Sequence, residues 1–286
     1  MFNSTKITFQ GLEAANFTMI PTYPLPEPFN SIAGQGNTSS VIVTLLRIDI
    51  AEFKYSGMGF GDDASTLFVT FEENSVYNIY REPMAAIGEE NAFQVTSYTL
   101  DTVVPYIYRN GFDLDMGRGI LTVNFSEPVN ETTFTLTSVS LQSRQNYDPS
   151  NTKKVTLSDE GSAFISLRDY DRCLKVYLGN TNLNRIKEQD GLCANRDSTF
   201  MSIDNSNPMI RDLAGNGLHT GTQYLVGNAG KVRNYGVDNI APVLNHWEFD
   251  YNEGTLTLQF SETVVAASID YAEIFIVESS AGAIQI

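Results

Sequence analysis

Positive charge is scarce in this chain. Its 286 residues carry 18 Lys and Arg against 34 Asp and Glu, a net charge of −16. Phosphate backbones are recognised by positive surfaces, so nucleic acid is excluded as a partner. An acidic surface instead suits solubility, cation binding or a salty exterior. Histidine is nearly absent, with only His219 and His246, and there are two cysteines and one tryptophan. No H-x-x-x-H, C-x-x-C or G-x-S-x-G occurs, which leaves a zinc enzyme or a serine hydrolase nothing to work with. The glycine-rich "GMGFGDD" from Gly57 is not followed by a helix bearing a phosphate-binding lysine. The chain therefore reads as a non-enzyme. No apolar run approaches the ~20 residues that cross a bilayer. The opening "MFNSTKITFQGLEAANF" lacks a basic stretch followed by an apolar core, so it is not a signal peptide.

What the chain has is a repeat. "FDLDMGRGILTVNFSEPV" from Phe112 returns as "FDYNEGTLTLQFSETV" from Phe249. Upstream, Val95, Tyr98, Asp101 and Pro105 match Val232, Tyr235, Asp238 and Pro242 at an offset of 137. Phe125 matches Phe260 at 135, which places the two lost residues in the turn between "MGRG" and "NEG". Further echoes run backwards. "FNSTKITFQ" matches "FTLTSVSLQ" at an offset of 132, "VTLLRIDIAEFK" matches "VYLGNTNLNRIK" at 133, and "LFVTFEE" matches "TFMSIDN" at 132. Internal repeats take precedence over any motif in setting the architecture. The division that follows is residues 1–100 as a module lacking its first strands, 101–237 as a complete module, and 238–286 as the first strands of another.

"ILTVNF" and "TLTLQF" alternate with period two, the pattern of a half-buried strand. Other short apolar runs are punctuated by Gly, Asn, Asp and Pro, and only "TNLNRIKEQ" reads as helix. The predicted fold is all-β: antiparallel sandwich modules of about 135 residues with one short helix each.

The "FSE-x-V" strand and the Asp-x-x-x-Pro linker that precedes it, with "LNRIK" and "DLAGNG" (Asp212 to Gly217), resemble bacterial-type Ig-like repeats of giant extracellular proteins of algae and other protists. The resemblance implies a structural role: part of a filament, surface coat or flagellar hair of mastigoneme type. The alternative is an adhesin that binds glycan or protein, with calcium stiffening its module junctions.

Cys173 and Cys193 are predicted to form a disulfide, contributing about 3 kcal/mol for a loop of this length. Sequons stand at Asn3, Asn16, Asn37, Asn124 and Asn130. Both features imply secretion, hence an extracellular or cell-surface location and N-linked glycans. Secretion without a signal peptide suggests a segment of a longer chain, whose partners are neighbouring modules or identical chains in an open filament. No cofactor is required. Calcium is the one ion the acids invite, through Asp101 and Asp238 at the linkers, Glu127 and Glu262 after the "FSE" strands, and Asp113 and Asp115 in the hairpin.

Overall fold

The computed structural model describes residues 6–11, 18–19, 39, 45, 50, 63–165, 172–206 and 208–276. Its strands in chain order begin with β1 (Ile7–Gln10), β2 (Thr18–Met19), β3 (Phe68–Phe71) and β4 (Phe93–Gln94). Then come β5 (Ile107–Asp115), β6 (Ile120–Phe125), β7 (Val129–Asn130), β8 (Val139–Gln142) and β9 (Lys154–Thr156). β10 (Ala163–Phe164), β11 (Cys173–Tyr177), β12 (Phe200–Ile203) and β13 (Arg211–Asp212) follow. The last are β14 (Gly230–Lys231), β15 (Tyr235–Gly236), β16 (Leu244–Asp250) and β17 (Thr255–Phe260). An α-helix, α1, spans Gly179–Lys187.

These strands form five separate open sheets, ordered β2-β1-β3-β4, β10-β11-β6-β5-β15, β14-β12-β8-β9, β13-β7 and β16-β17. This corrects the predicted fold. Tandem Ig-like modules of two antiparallel sheets, each with its own short helix, are not what forms. The five-stranded sheet is mixed, because β15 joins β5 in parallel. β13 and β7 make a ladder of their own, and β16–β17 stands apart as a hairpin. The physical reason is that alternation reports which residues of a strand face inward. It carries no information on which strands pair, and pairing decides the architecture.

The local readings of strands come from side-chain burial. In β6, Leu121, Val123 and Phe125 are fully buried, while Ile120, Thr122 and Asn124 are half-buried. In β11, Leu174 and Val176 face the same core. One hydrophobic cluster joins these side chains to Val139 and Leu141 of β8, Met201 and Ile203 of β12, and Ile186 of α1. The β5–β6 turn closes with Gly119 at φ +65, a backbone open to glycine at little cost, and Asp115 Oδ1 accepts from Arg118 N at 2.9 Å.

The internal repeat survives as local geometry. β1 pairs with β3 as Ile7↔Phe71 and Gln10↔Phe68, and β8 pairs with β12 as Val139↔Ile203 and Gln142↔Phe200. Every partner is displaced by the same 132 residues. Short 3-10 turns with reciprocal caps stand at the same offset, Asp63 with Thr66 and Asn195 with Ser198. The hairpins also correspond, though not as the sequences were aligned. Asp115 pairs with Ile120 and Asp250 with Thr255, so both turns hold four residues. The two-residue difference lies instead in β5, where the register shifts between Ile107 and Phe112. Tyr224 holds that bulge: Gly111 N donates to its hydroxyl at 2.9 Å, and the hydroxyl donates to Tyr108 O at 2.9 Å. Gly230 lies against the Tyr224 ring so closely that an added Cβ would stand 2.1 Å from it. In this register Leu114 corresponds to Phe249 and Phe112 to Trp247.

Candidate functional site

The six predicted acidic ligands do not converge on one point. They divide into separate arrangements. Asp113 forms a two-pronged pair with Arg233, Nε to Oδ1 at 2.9 Å and Nη2 to Oδ2 at 2.5 Å. Asp115 caps its own hairpin turn. The other four form two pairs, each joining a linker aspartate to the glutamate that follows an "FSE" strand.

The first pair is Asp101 with Glu127, and a third carboxylate, Asp212, meets it. One ligand oxygen from each of the three lies within 4.8 Å of the others, with Asp212 buried and the other two half-buried. Three elements bring them together. Asp101 begins the linker to β5 and accepts from Val103 N at 3.0 Å. Glu127 follows Ser126, which anchors the linker's end: Ser126 N donates to Tyr106 O at 2.9 Å, and Tyr106 N donates to Ser126 Oγ at 3.1 Å. Asp212 pairs with Val129 in the β13–β7 ladder and opens the loop "DLAGN". Asn216 closes that loop, its backbone N donating to Asp212 Oδ1 at 2.7 Å and its Nδ2 to Oδ2 at 2.9 Å. The same Nδ2 donates to Asp101 O at 3.0 Å, which seats the linker on the loop. Each Asp212 oxygen keeps a second lone pair after accepting from Asn216, so its capacity as a ligand is not exhausted. Hard oxygen donors carrying three formal negative charges can coordinate a divalent cation. The Asp101, Glu127 and Asp212 cluster is a candidate for such a site.

The second pair is Asp238 with Glu262, and here the third member is Lys187 of α1. Its ammonium stands 2.6 Å from Asp238 Oδ2 and bonds Glu262 Oε2. Burial pulls the Lys187 ammonium down, but its hydrogen bonds to the two carboxylates outweigh burial and hold its pKa above the ordinary value. Burial likewise pushes Asp238 up, and the Lys187 and Ile240 hydrogen bonds bring it below the usual carboxylate range. The local geometry matches the first pair: Ile240 N donates to Asp238 Oδ1 at 3.1 Å, and Val243 N to Ser261 Oγ at 2.9 Å. Neither Asp212 nor Lys187 was among the predicted ligands. Asp212 did carry a signal, since an Asp and an Asn spanning a Gly mark a tight polar loop.

The cysteines are not bonded to each other; both are thiols, which corrects the predicted disulfide. Alternation in "CLKVY" gives the reason. Leu174 and Val176 enter the core, so Cys173 lies on the opposite face, whereas Cys193 is itself a member of the core cluster. Two sulfurs on opposite sides of a strand cannot meet. Burial pushes the Cys193 thiol up to about 12, against a partial offset from Thr199. Only the thiolate is nucleophilic, so native Cys193 is expected to ignore a thiol reagent at pH 8 and to react on unfolding. A thiol count that includes Cys193 in native protein would contradict this. The neutral thiol favours the fold fully below pH 9, and that contribution is lost as pH rises toward about 12.

Among the sequons, Asn3, Asn16 and Asn37 lie outside the described residues. Asn124 is half-buried within β6, and its Nδ2 donates to Gly111 O at 3.2 Å. Asn130 caps a 3-10 turn by accepting from Thr132 N at 3.1 Å.

No family model matches the chain, and no curated protein or solved structure matches it. The resemblance to extracellular Ig-like repeats is thereby corrected: no family match accompanies the "FSE-x-V" strands, and the described strands form five open sheets. The function drawn from that resemblance falls with it. A segment of a filament, coat or flagellar hair, or an adhesin array, is replaced by a packed unit with a candidate cation site.

Proposed function

We propose that this is a non-catalytic, calcium-binding domain in which the ion fastens the linker before β5 to the loop after β13. The convergence of Asp101, Glu127 and Asp212 within 4.8 Å carries the reading. Calcium is favoured over a softer metal because every donor is a carboxylate oxygen and neither histidine nor cysteine takes part. A non-catalytic role agrees with the two histidines: His246 pairs with Glu248 at 3.2 Å on an exposed hairpin, and His219 lies far from it in sequence. The sequons at Asn3, Asn16, Asn37 and Asn130 support extracellular placement and N-linked glycans, and extracellular modules bind calcium with Kd of roughly 10⁻⁴–10⁻³ M.

Titration calorimetry and thermal unfolding test this. Binding in that range raises stability by about 2.7 kcal/mol when calcium reaches 100 times Kd. Asp212→Asn is expected to remove that increment. Asp238→Asn is expected to keep it, because Lys187 already neutralises the second pair. An unfolding midpoint that is the same in chelator and in excess calcium overturns the proposal.

The Lys187 arrangement favours a second reading, in which an ammonium group rather than a metal neutralises Asp101 and Glu127. Lys54 precedes Lys187 by 133 residues, the offset of that echo, and lies outside the described residues. Loss of stability in Lys54→Met, together with no response to calcium, selects this second reading.

A further inference from the structure

Two hairpins of the same register meet opposite fates in this chain. In β5–β6, Ile107 is 6% exposed, Leu114 1%, and Phe112, Leu121, Val123 and Phe125 are wholly buried. They are covered by β8 and β12, whose Val139, Leu141, Met201 and Ile203 belong to the same cluster. In β16–β17 the corresponding residues are apolar without exception: Leu244, Trp247, Phe249, Leu256, Leu258 and Phe260. Yet Leu244 is 46% exposed, Trp247 52% and Phe249 47%, and the other three are only half-buried. A contiguous apolar face of this kind marks an interaction surface.

The chain also contains the matching cover. β8 and β12, which bury β5–β6, are repeated by β1 and β3 with every partner displaced by 132 residues. The flanking strands repeat as well. β4 pairs with β3 as β14 pairs with β12, and β2 pairs with β1 as β9 pairs with β8. The side chains at the covering positions stay apolar: Ile7 for Val139, Phe9 for Leu141, Val69 for Met201 and Phe71 for Ile203. So the N-terminal sheet has the register and apolar positions of the cover that β16–β17 needs.

We propose that the exposed face of the β16–β17 hairpin docks on the β1–β3 sheet of a second copy of this chain, repeating between molecules the packing of β5–β6 on β8–β12 within one. The interface needs no ion and is independent of the calcium site.

The single tryptophan, Trp247, lies at its centre and reports on it directly. Sedimentation of the full chain over a range of concentrations is expected to show a mass of two chains or more at the upper end. Trp247 emission is expected to move to shorter wavelength over the same range. Cross-linking of mixed light and isotope-labelled chains is expected to give inter-chain links from the 244–260 segment to residues 6–10 or 68–73. Leu258→Glu, at a half-buried site on the hairpin and outside the β5–β6 core, is expected to weaken association at least tenfold. Three results overturn the proposal: a monomer with unshifted emission at every concentration, an oligomer whose inter-chain links avoid these segments, or links found only within one chain. If Leu258→Glu fails to fold, the isotope-resolved links of the unaltered protein still decide it.

Discussion

Phe125→Ala will cost the fold about 3–5 kcal/mol, while the same truncation at the corresponding Phe260 will cost a dilute chain far less. Both phenylalanines close an apolar, polar, apolar alternation, and both precede the same Ser-Glu pair. Only the surroundings differ. Phe125 is wholly buried in the cluster that joins the β5–β6 hairpin to β8 and β12. Removing its ring there forfeits the transfer of the ring from water and leaves a cavity that neighbours on several strands cannot collapse to fill. Phe260 is half-buried on a hairpin whose partner strand is exposed along its length. Truncation there removes fewer contacts and leaves an open site that water fills. Denaturant unfolding of the two variants at low protein concentration checks the contrast. Equal losses would mean that β16–β17 is packed within the single chain. At concentrations where chains associate, Phe260→Ala should also weaken association, because its ring belongs to the proposed contact face.

How far the sequence reveals such differences depends on whether the governing interaction is local. The strand character of β6 and β17 follows from alternation, and α1 covers most of the segment that reads as helical because Leu183 and Ile186 recur on one helical face. The repeat offsets reappear as strand registers. The five open sheets were not legible, because a parallel partner such as β15 comes from about 120 residues beyond β5 and leaves no mark on the strand it joins. The β5 bulge was misplaced into the turn for a related reason. An extra residue pair inside a strand and one inside a turn produce the same gap in an alignment, and only Tyr224, more than 110 residues away, identifies the bulge. The disulfide failed although the deciding information was local: alternation in β11 already put Cys173 on the face away from the core. At the site, each linker aspartate meets the glutamate that follows an "FSE" strand, a pairing the six-acid expectation did not single out. The third group, a carboxylate in one case and an ammonium in the other, arrives from a distant element.

Asn182→Leu will destabilise the protein by about 2–3 kcal/mol even though it exchanges a polar side chain for an apolar one of similar size in the core. Asn182 sits in the first turns of α1, and it is wholly buried. Its Nδ2 donates to Ser158 O at 2.7 Å and to Leu178 O at 2.6 Å. Its Oδ1 accepts from Ser158 N at 2.9 Å and Ser158 Oγ at 3.2 Å. One amide therefore satisfies both backbone groups of Ser158 and fastens the segment after β9 to the start of the helix. Leucine fills the volume and makes none of these bonds, so the loss measures hydrogen bonding rather than a cavity. A half-buried Ser158 regains part of its bonding from water, which keeps the loss below that of several fully orphaned groups. The effect should reach the second acidic pair, since Lys187 at the end of the same helix contacts Asp238 and Glu262. Urea unfolding gives the stability change, and a double-mutant cycle of Asn182→Leu with Lys187→Met gives the coupling through α1. Unchanged stability in Asn182→Leu would mean that the segment after β9 does not depend on the helix for its backbone hydrogen bonds. Strict additivity in the cycle would mean that the two ends of α1 are held independently.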